Sequence, residues 1–251
     1  MLRNLFCICT AGVWTVVCFP FAMAVMVLKR DRSASLQVMR GMWAPVLLWA
    51  GGARLKVLGL ENVPRNTALM FACNHQSTID MPAFSMAMPY DFRFVSKKSL
   101  KYVPFMGFYL SMAGFVFVDR KDRSAAIESL GDAHTHLAAG RSMVMFVEGS
   151  RSESRRVMPF KKGAFAIAVS AGVPVVPVTI EGSGNLMPKN SWRITPGDIT
   201  IKFGAPIDST RFNGDRESLL QAVRSVVVAQ SLELGGLGGD DQPVMSPTRT
   251  S

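Results

Sequence analysis

The chain has 251 residues, of which 49% are hydrophobic and 18% charged, and its formal net charge is +10. This length suits one catalytic domain with an appendage. The excess of basic over acidic residues predicts association with an acidic partner: nucleic acid, an anionic lipid surface or an anionic substrate. The aromatic residues lie inside apolar runs and are not interleaved with Lys and Arg, so we expect no nucleic-acid partner.

The four cysteines do not form a recognisable framework. Cys7, Cys9 and Cys18 lie in one apolar N-terminal run, and Cys73 stands alone. No Cys-x-x-Cys pair or Cys/His spacing indicates zinc. We therefore expect neither disulfides nor a metal site, and we interpret all four cysteines as buried apolar side chains.

The first element along the chain is an uncharged apolar stretch, residues 5–28. As a helix it would be about 36 Å long, enough to cross a hydrocarbon core of about 30 Å with some tilt. A signal peptide is the competing interpretation, but its apolar region is usually only about 7–15 residues long. Lys29, Arg30 and Arg32 follow directly, and this positive charge marks the C-terminal flank as cytoplasmic.

A second apolar stretch, residues 42–50, is too short to span a bilayer and contains Trp43 and Trp49, which favour the membrane interface. Two arrangements therefore remain open. The first stretch crosses the bilayer, or both stretches form a helical hairpin embedded in one leaflet.

After Gly51-Gly52, short β-rich runs alternate with helix-like stretches, which predicts an α/β layered domain with a mostly buried sheet flanked by helices. We expect membrane-anchoring helices over residues 1–52, the α/β domain over 53–232 and a flexible tail over 233–251. The predicted strands are 68–73, 92–95, 115–118, 143–147, 173–180 and 199–203, and the predicted helices are 79–88, 99–110, 124–139, 164–171 and 216–232.

The sharpest chemical feature is the stretch from Asn74 to Asp80, which begins where an apolar run ends. Active residues of α/β folds collect at the carboxyl ends of strands. A His with a nearby carboxylate is a base with a group that orients it. Five helical residues turn by about 140° beyond a full turn, so His75 and Asp80 can meet only if His75 lies in the loop and Asp80 in the first helical turn. A capping role for both residues is the alternative.

The second feature, residues 146–152, also follows an apolar strand and contains Glu148, Gly149 and Arg151. Several cations lie around it, including Lys161. A phosphate site needs Arg and Lys side chains as ligands and a glycine that lets the backbone come close to the phosphate. A solvated basic loop is the common alternative. Gly149-Ser150 lacks the second glycine of a Gly-x-Ser-x-Gly nucleophile elbow, so a serine hydrolase is not indicated.

Taken together, these motifs resemble the glycerolipid acyltransferase family, in particular bacterial 1-acyl-sn-glycerol-3-phosphate acyltransferases. The resemblance covers roughly residues 55–205, and its blocks occur in family order. Val147, Ser150 and Glu153 depart from the usual family residues Pro, Thr and a basic residue. The matching blocks are Asn74, His75 and Asp80, then 114–120 ending in Asp119-Arg120, 146–152, 159–163 and 173–177.

The resemblance implies a role for each matching residue. His75 would be the general base and Asp80 would orient it. The acceptor phosphate would be held by three cations, with Glu148 and Gly149 shaping the same pocket. No cofactor would be needed. The three cations are Arg120, Arg151 and Lys161.

The same resemblance implies that lysophosphatidic acid, acyl-CoA or acyl carrier protein, and membrane lipids are the partners. The expected location is the bacterial inner (cytoplasmic) membrane, with the catalytic domain facing the cytoplasm. Acyl transfer to another lyso-lipid such as lyso-ornithine lipid, an inactive membrane-binding homologue and a membrane-anchored hydrolase remain alternatives.

Overall fold

The computed structural model describes residues 2–119 and 123–241, without the side chains of residues 123–130. Its seven strands form one sheet in the order β1-β7-β6-β2-β5-β3-β4. All neighbouring strands are parallel except β6 and β7. The strands are β1 Ala53–Leu58, β2 Met70–Cys73, β3 Arg93–Lys97, β4 Val116–Val118, β5 Met143–Phe146, β6 Val175–Glu181 and β7 Gly197–Phe203.

Helices cover both faces of the sheet, which confirms the predicted α/β class. Because side chains alternate along a strand, Phe71 and Cys73 of β2 join one apolar core and Met70 and Ala72 join the other. The α-helices are α1 Leu2–Lys29, α2 Arg32–Val38, α3 Ala44–Gly51, α4 Asp80–Ala87, α5 Met106–Met112, α6 Arg123–Ala138, α7 Lys162–Ala171, α8 Ser183–Leu186 and α9 Arg216–Glu233.

The N-terminal helices form a hairpin. The chain turns at Arg30, and a π-helical stretch, Met39–Trp43, joins α2 to α3. Two indole N–H groups bind the two arms together: Trp14 donates to the Met42 carbonyl and Trp43 donates to the Thr15 hydroxyl, each over 2.9 Å. The two apolar stretches therefore pack against each other as a helical hairpin.

By length and composition, α1 could cross a membrane, the one such helix in the described part of the chain. Only 22% of the residues in its most apolar 18-residue stretch are buried. The outward side carries Val13, Val16 and Val17. Cys9 is also exposed, so the expectation that all four cysteines are buried is wrong at this position.

Two other predictions need correction. The predicted helix 99–110 is interrupted, since a 3₁₀ turn, Lys98–Tyr102, precedes α5. Pro104 disfavours a helical conformation in the residue before it, and Val103 is extended. The stretch after α9 was predicted to be a flexible tail, but Val157 pairs with Gly239 and Arg224 pairs with Asp241. The rest of that predicted tail, 242–251, lies outside the described residues.

Candidate active site

The loop that follows β2 brings His75 and Asp80 together. His75 lies between β2 and α4, and Asp80 is the first residue of α4, the placement that the spacing requires. The Nδ1–H of His75 donates to Oδ2 of Asp80 over 2.7 Å. This hydrogen bond leaves Nε2 as the basic nitrogen of the imidazole.

Hydrogen bonds from the loop hold the Asp80 carboxylate next to His75. Its Oδ2 also accepts the backbone N–H groups of Gln76 and Ser77, each over 2.9 Å. The residue is completely buried, while 15% of the His75 side chain is exposed. A buried carboxylate with three donors stabilises the cation that His75 becomes when it takes a proton.

Contacts with β5, β6 and the stretch after β5 hold His75 and its neighbour Asn74 in place. Its ring stacks on Phe146 at the end of β5, with centroids 4.0 Å apart and planes 19° from parallel. Its carbonyl accepts the N–H of Ser152 over 2.7 Å. The Asn74 side chain exchanges two hydrogen bonds with the backbone of Ile180 in β6, at 3.0 and 2.7 Å. The imidazole is therefore pre-positioned.

Of the three predicted phosphate-binding cations, Arg151 contacts the His75 loop and Lys161 lies against the stretch 146–152 that follows β5. Arg151 donates to the hydroxyl of Thr78, three residues after His75, over 2.9 Å. Lys161 is exposed, and its backbone N–H donates to the Val147 carbonyl over 2.8 Å. Arg120 lies outside the described residues.

Gly149 allows Lys161 to lie across the loop. Its φ is +77°, a conformation that side-chain-bearing residues rarely adopt. A Cβ atom at this position would lie 3.3 Å from Cγ of Lys161. A larger residue here would therefore displace the lysine side chain.

Glu148 lies beneath the site. Its Oε1 accepts the N–H of Met158 over 3.1 Å, and burial raises the pKa of its carboxyl well above the ordinary value. Glu153, the acid that departs from the family pattern, forms an ion pair with Lys189 at 3.1 Å and accepts a hydrogen bond from Asn190. Its charge is therefore partly neutralised within the 188–190 turn.

A buried chain of polar side chains, which no sequence motif indicated, holds the His75 loop. The Gln76 side chain donates to Glu181 Oε2 over 3.0 Å and to the Arg155 carbonyl over 3.1 Å. Glu181 Oε1 in turn accepts the Ser231 hydroxyl over 2.5 Å. The sequence signal for this chain was Glu181, an acidic residue that directly follows the apolar run 173–180.

An apolar cavity of about 380 Å³ opens beside the site. Thr78 and Ile79 of the motif loop line it at one place, and Leu36, Leu110 and Phe115 line it elsewhere. The hairpin helices supply much of its wall. A cavity of this shape and lining suits a hydrocarbon chain. Among the described residues, no group of three or more His, Cys, Asp or Glu side chains could hold a metal ion.

Comparisons with known proteins agree with the geometry. A chloroplastic 1-acyl-sn-glycerol-3-phosphate acyltransferase from Brassica napus is 32% identical over 91% of this chain and 66% of its own length. The Escherichia coli protein of the same name is 34% identical over 66% of this chain and 67% of its own length. The chain spans 53–66% of the length of the first four curated relatives that it matches.

A solved structure is similar over nearly its whole length. The crystal structure of the 1-acyl-sn-glycerophosphate (LPA) acyltransferase PlsC from Thermotoga maritima superposes with a TM-score of 0.83 at 30% identity, covering 93% of this chain and 95% of that one. Residues 54–181 match the model of the family described as Acyltransferase. This chain belongs to the acyltransferase family.

Proposed function

We propose that the protein transfers a fatty acyl group from a thioester donor to the sn-2 hydroxyl of 1-acyl-sn-glycerol-3-phosphate, forming phosphatidic acid. One observation carries this proposal: the His75–Asp80 pair lies in the same loop as Thr78, and Thr78 both accepts a hydrogen bond from the cation Arg151 and lines the apolar cavity. An acceptor that has a hydroxyl, a phosphate and a fatty chain matches these three features.

In the proposed reaction His75 acts as the general base. Its Nε2 takes the proton of the acceptor hydroxyl as the oxygen attacks the thioester carbonyl carbon. The tetrahedral intermediate then collapses, the carbon–sulfur bond breaks, and the imidazolium returns the proton to the leaving thiolate. Asp80 holds the ring and stabilises its charged form, and no covalent acyl-enzyme is required. A positioned base of this kind contributes about 10²–10⁴-fold to the rate.

Binding of the acceptor phosphate is assigned to Arg151 and Lys161, together with Arg120. The guanidinium of Arg151 offers paired N–H donors that suit phosphate, and the Lys161 ammonium adds a point charge. Glu148 and Gly149 shape the pocket, Glu148 by bracing the loop and Gly149 by letting the Lys161 side chain lie close to the backbone. Fixed charges on a remote phosphate position the hydroxyl for attack.

The proposed donor is acyl-CoA or an acyl carrier protein, both of which are acidic and suit a chain of net charge +10. The proposed location is the bacterial inner membrane, with the catalytic domain on the cytoplasmic side; the apolar outer face of α1 and the residues Trp43 and Trp49 support membrane association. Both fatty chains then reach the site from the lipid phase. The relatives' names support acyl transfer to this acceptor.

An acceptor panel tests the proposal. Purified protein in detergent would be given labelled acyl-CoA with 1-acyl-sn-glycerol-3-phosphate, with a phosphate-free acceptor such as lyso-ornithine lipid, or with no acceptor. We expect labelled phosphatidic acid from the first mixture alone. Strong transfer to the phosphate-free acceptor would overturn the phosphate assignments, and release of free fatty acid without acceptor would indicate a hydrolase. If all three mixtures are inactive, the panel would be repeated with acyl carrier protein as donor.

A further inference from the structure

The stretch 102–108, from the end of the Lys98–Tyr102 turn into α5, exposes an unusual amount of apolar surface. Tyr102 is 71% exposed, Phe105 57% and Phe108 61%, and Val103 is exposed beside them. We refer to these four residues as the aromatic loop. Single exposed apolar residues need no explanation, but four of them within seven positions mark an interaction surface.

The backbone holds the aromatic loop in a strained, compact form. Phe105 has φ +59° and ψ −50°, a conformation that a bulky side chain rarely adopts. Gly107 packs so tightly that a Cβ atom there would lie 2.0 Å from the Lys101 carbonyl oxygen. Backbone strain of this kind persists where the surrounding structure enforces it, and it is concentrated at functional sites.

The residues next to the aromatic loop are basic. Lys97 and Lys101 are exposed, and Lys98 pairs with Asp119 over 3.3 Å. The stretch 97–108 contains no acidic residue. Lysines that flank exposed aromatic side chains are complementary to an anionic lipid surface, where the ammonium groups meet headgroups and the rings enter the interface.

The aromatic loop also adjoins the elements that contain the apolar cavity. In α5, Tyr109 stacks on Phe19 of α1 with centroids 4.8 Å apart. Met106, between Phe105 and Phe108 in sequence, lines the cavity together with Leu100. The outer side of this segment therefore faces solvent while its inner side faces the space assigned to a fatty chain.

We propose that the aromatic loop is a second membrane contact, separate from the N-terminal hairpin, and that it inserts into the interface of an anionic bilayer. Two contacts fix the orientation of the domain on the lipid surface, whereas one helical anchor leaves it free to tilt. The assignment needs no catalytic step, so it can fail or succeed independently of the proposed function.

A depth measurement on the full chain tests this proposal. An environment-sensitive fluorophore would be attached to Phe105→Cys in a Cys9→Ser background, because the other three cysteines are buried. The matched control carries the label at Arg211→Cys, an exposed position next to α9 on the opposite layer. Each protein would be bound to phosphatidylcholine vesicles that contain phosphatidylglycerol, and quenched either by nitroxide lipids or by aqueous iodide.

At position 105 we expect quenching by the nitroxide lipids and a blue shift of the fluorophore's emission. At position 211 we expect quenching by iodide alone. Equal iodide quenching at both positions, in protein that sediments with the vesicles, would overturn the proposal. The proposal would also be overturned if an acidic carrier protein, but not the vesicles, shifted the emission of the fluorophore at position 105.

Charge variants supply a second measurement. Replacing Lys97 or Lys101 by Gln should weaken partitioning to phosphatidylglycerol vesicles about fivefold for each lysine. Partitioning to pure phosphatidylcholine should change little, and Arg211→Gln should have little effect on either. Equal losses on both kinds of vesicle would contradict a role for these lysines in binding anionic lipid.

Discussion

A single oxygen, Oδ2 of Asp80, accepts the His75 imidazole N–H over 2.7 Å and two backbone N–H groups over 2.9 Å. The five-residue separation permits this contact because His75 lies in the loop and Asp80 opens α4. The carboxylate thus fixes both the loop and the tautomer of the base.

Asp80→Asn should reduce kcat by about 10²-fold or more, because an amide cannot stabilise the imidazolium and does not enforce the same tautomer. The steady-state rate of acyl transfer measures the effect. Asp198→Asn is the matched control, since Asp198 forms an exposed pair with Arg54 at the β1–β7 edge of the sheet. An Asp80→Asn protein with the kcat of the Asp198→Asn protein would contradict the assignment.

Arg151→Ala and Lys161→Ala should each raise KM for the phosphate-bearing acceptor by about tenfold or more, because each removes a charge-assisted hydrogen bond. KM for the thioester donor should change much less. Lys162→Ala is a close control, since Lys162 follows Lys161 directly but pairs with Glu217 over 2.6 Å. Equal KM values for the Lys161 and Lys162 variants would remove Lys161 from the phosphate site.

Ser85→Leu should shift the preferred acyl chain towards shorter lengths, because Ser85 of α4 lines the apolar cavity and a larger side chain reduces its volume. Each methylene that no longer fits should lower kcat/KM about fourfold. A series of acyl-CoA chain lengths provides the measurement. Ser111→Leu, on the outward side of α5, should leave the profile unchanged. An unaltered profile in Ser85→Leu would show that the cavity does not receive the chain.

Glu181→Gln should change the pH dependence of stability. Burial raises the pKa of this carboxyl above its ordinary value of 4.5, despite hydrogen bonds from Ser231 and Gln76. Because the folded-state pKa is raised, the contribution of Glu181 to stability is fully present below about pH 4.5 and is lost as pH rises through the folded-state value. The amide does not titrate, so the variant should gain stability relative to wild type as pH rises.

Thermal unfolding in detergent over a series of pH values tests this expectation. The difference in Tm between Glu181→Gln and wild type should increase from acid to neutral pH. Glu153→Gln, at an exposed position, serves as the control. A pH-independent difference would mean that Glu181 is not the titrating group.

Features that depend on local pattern could be predicted from the sequence. The six predicted strands correspond to β2–β7, and the spacing of His75 and Asp80 correctly required a loop position and a first-turn position. β1 was missed because Ala53–Leu58 is only half-buried, with exposed Arg54 and Lys56 between apolar residues. The parallel pairing of this strand with β7 joins segments that are remote along the chain.

Long-range polar contacts could not be predicted. Gln76 and Glu181 are separated by 105 positions, and Glu181 and Ser231 by 50. Local hydrophobic periodicity cannot predict such contacts, because they depend on the order of the strands in the sheet. The packed stretch after α9 was missed for a similar reason: Gly236, one of its several glycines, allows the chain to approach Ser231 and Glu181 closely.

The most direct test of the central claim is acyl transfer by wild-type, His75→Ala and His134→Ala proteins, with radiolabelled lysophosphatidic acid and acyl-CoA in detergent. His134 lies in α6, outside the site, and so controls for loss of a histidine. We predict that wild type and His134→Ala form phosphatidic acid, and that His75→Ala, folded to the same Tm, forms about 10²–10⁴-fold less. Full activity in His75→Ala would contradict the assignment of His75 as the base.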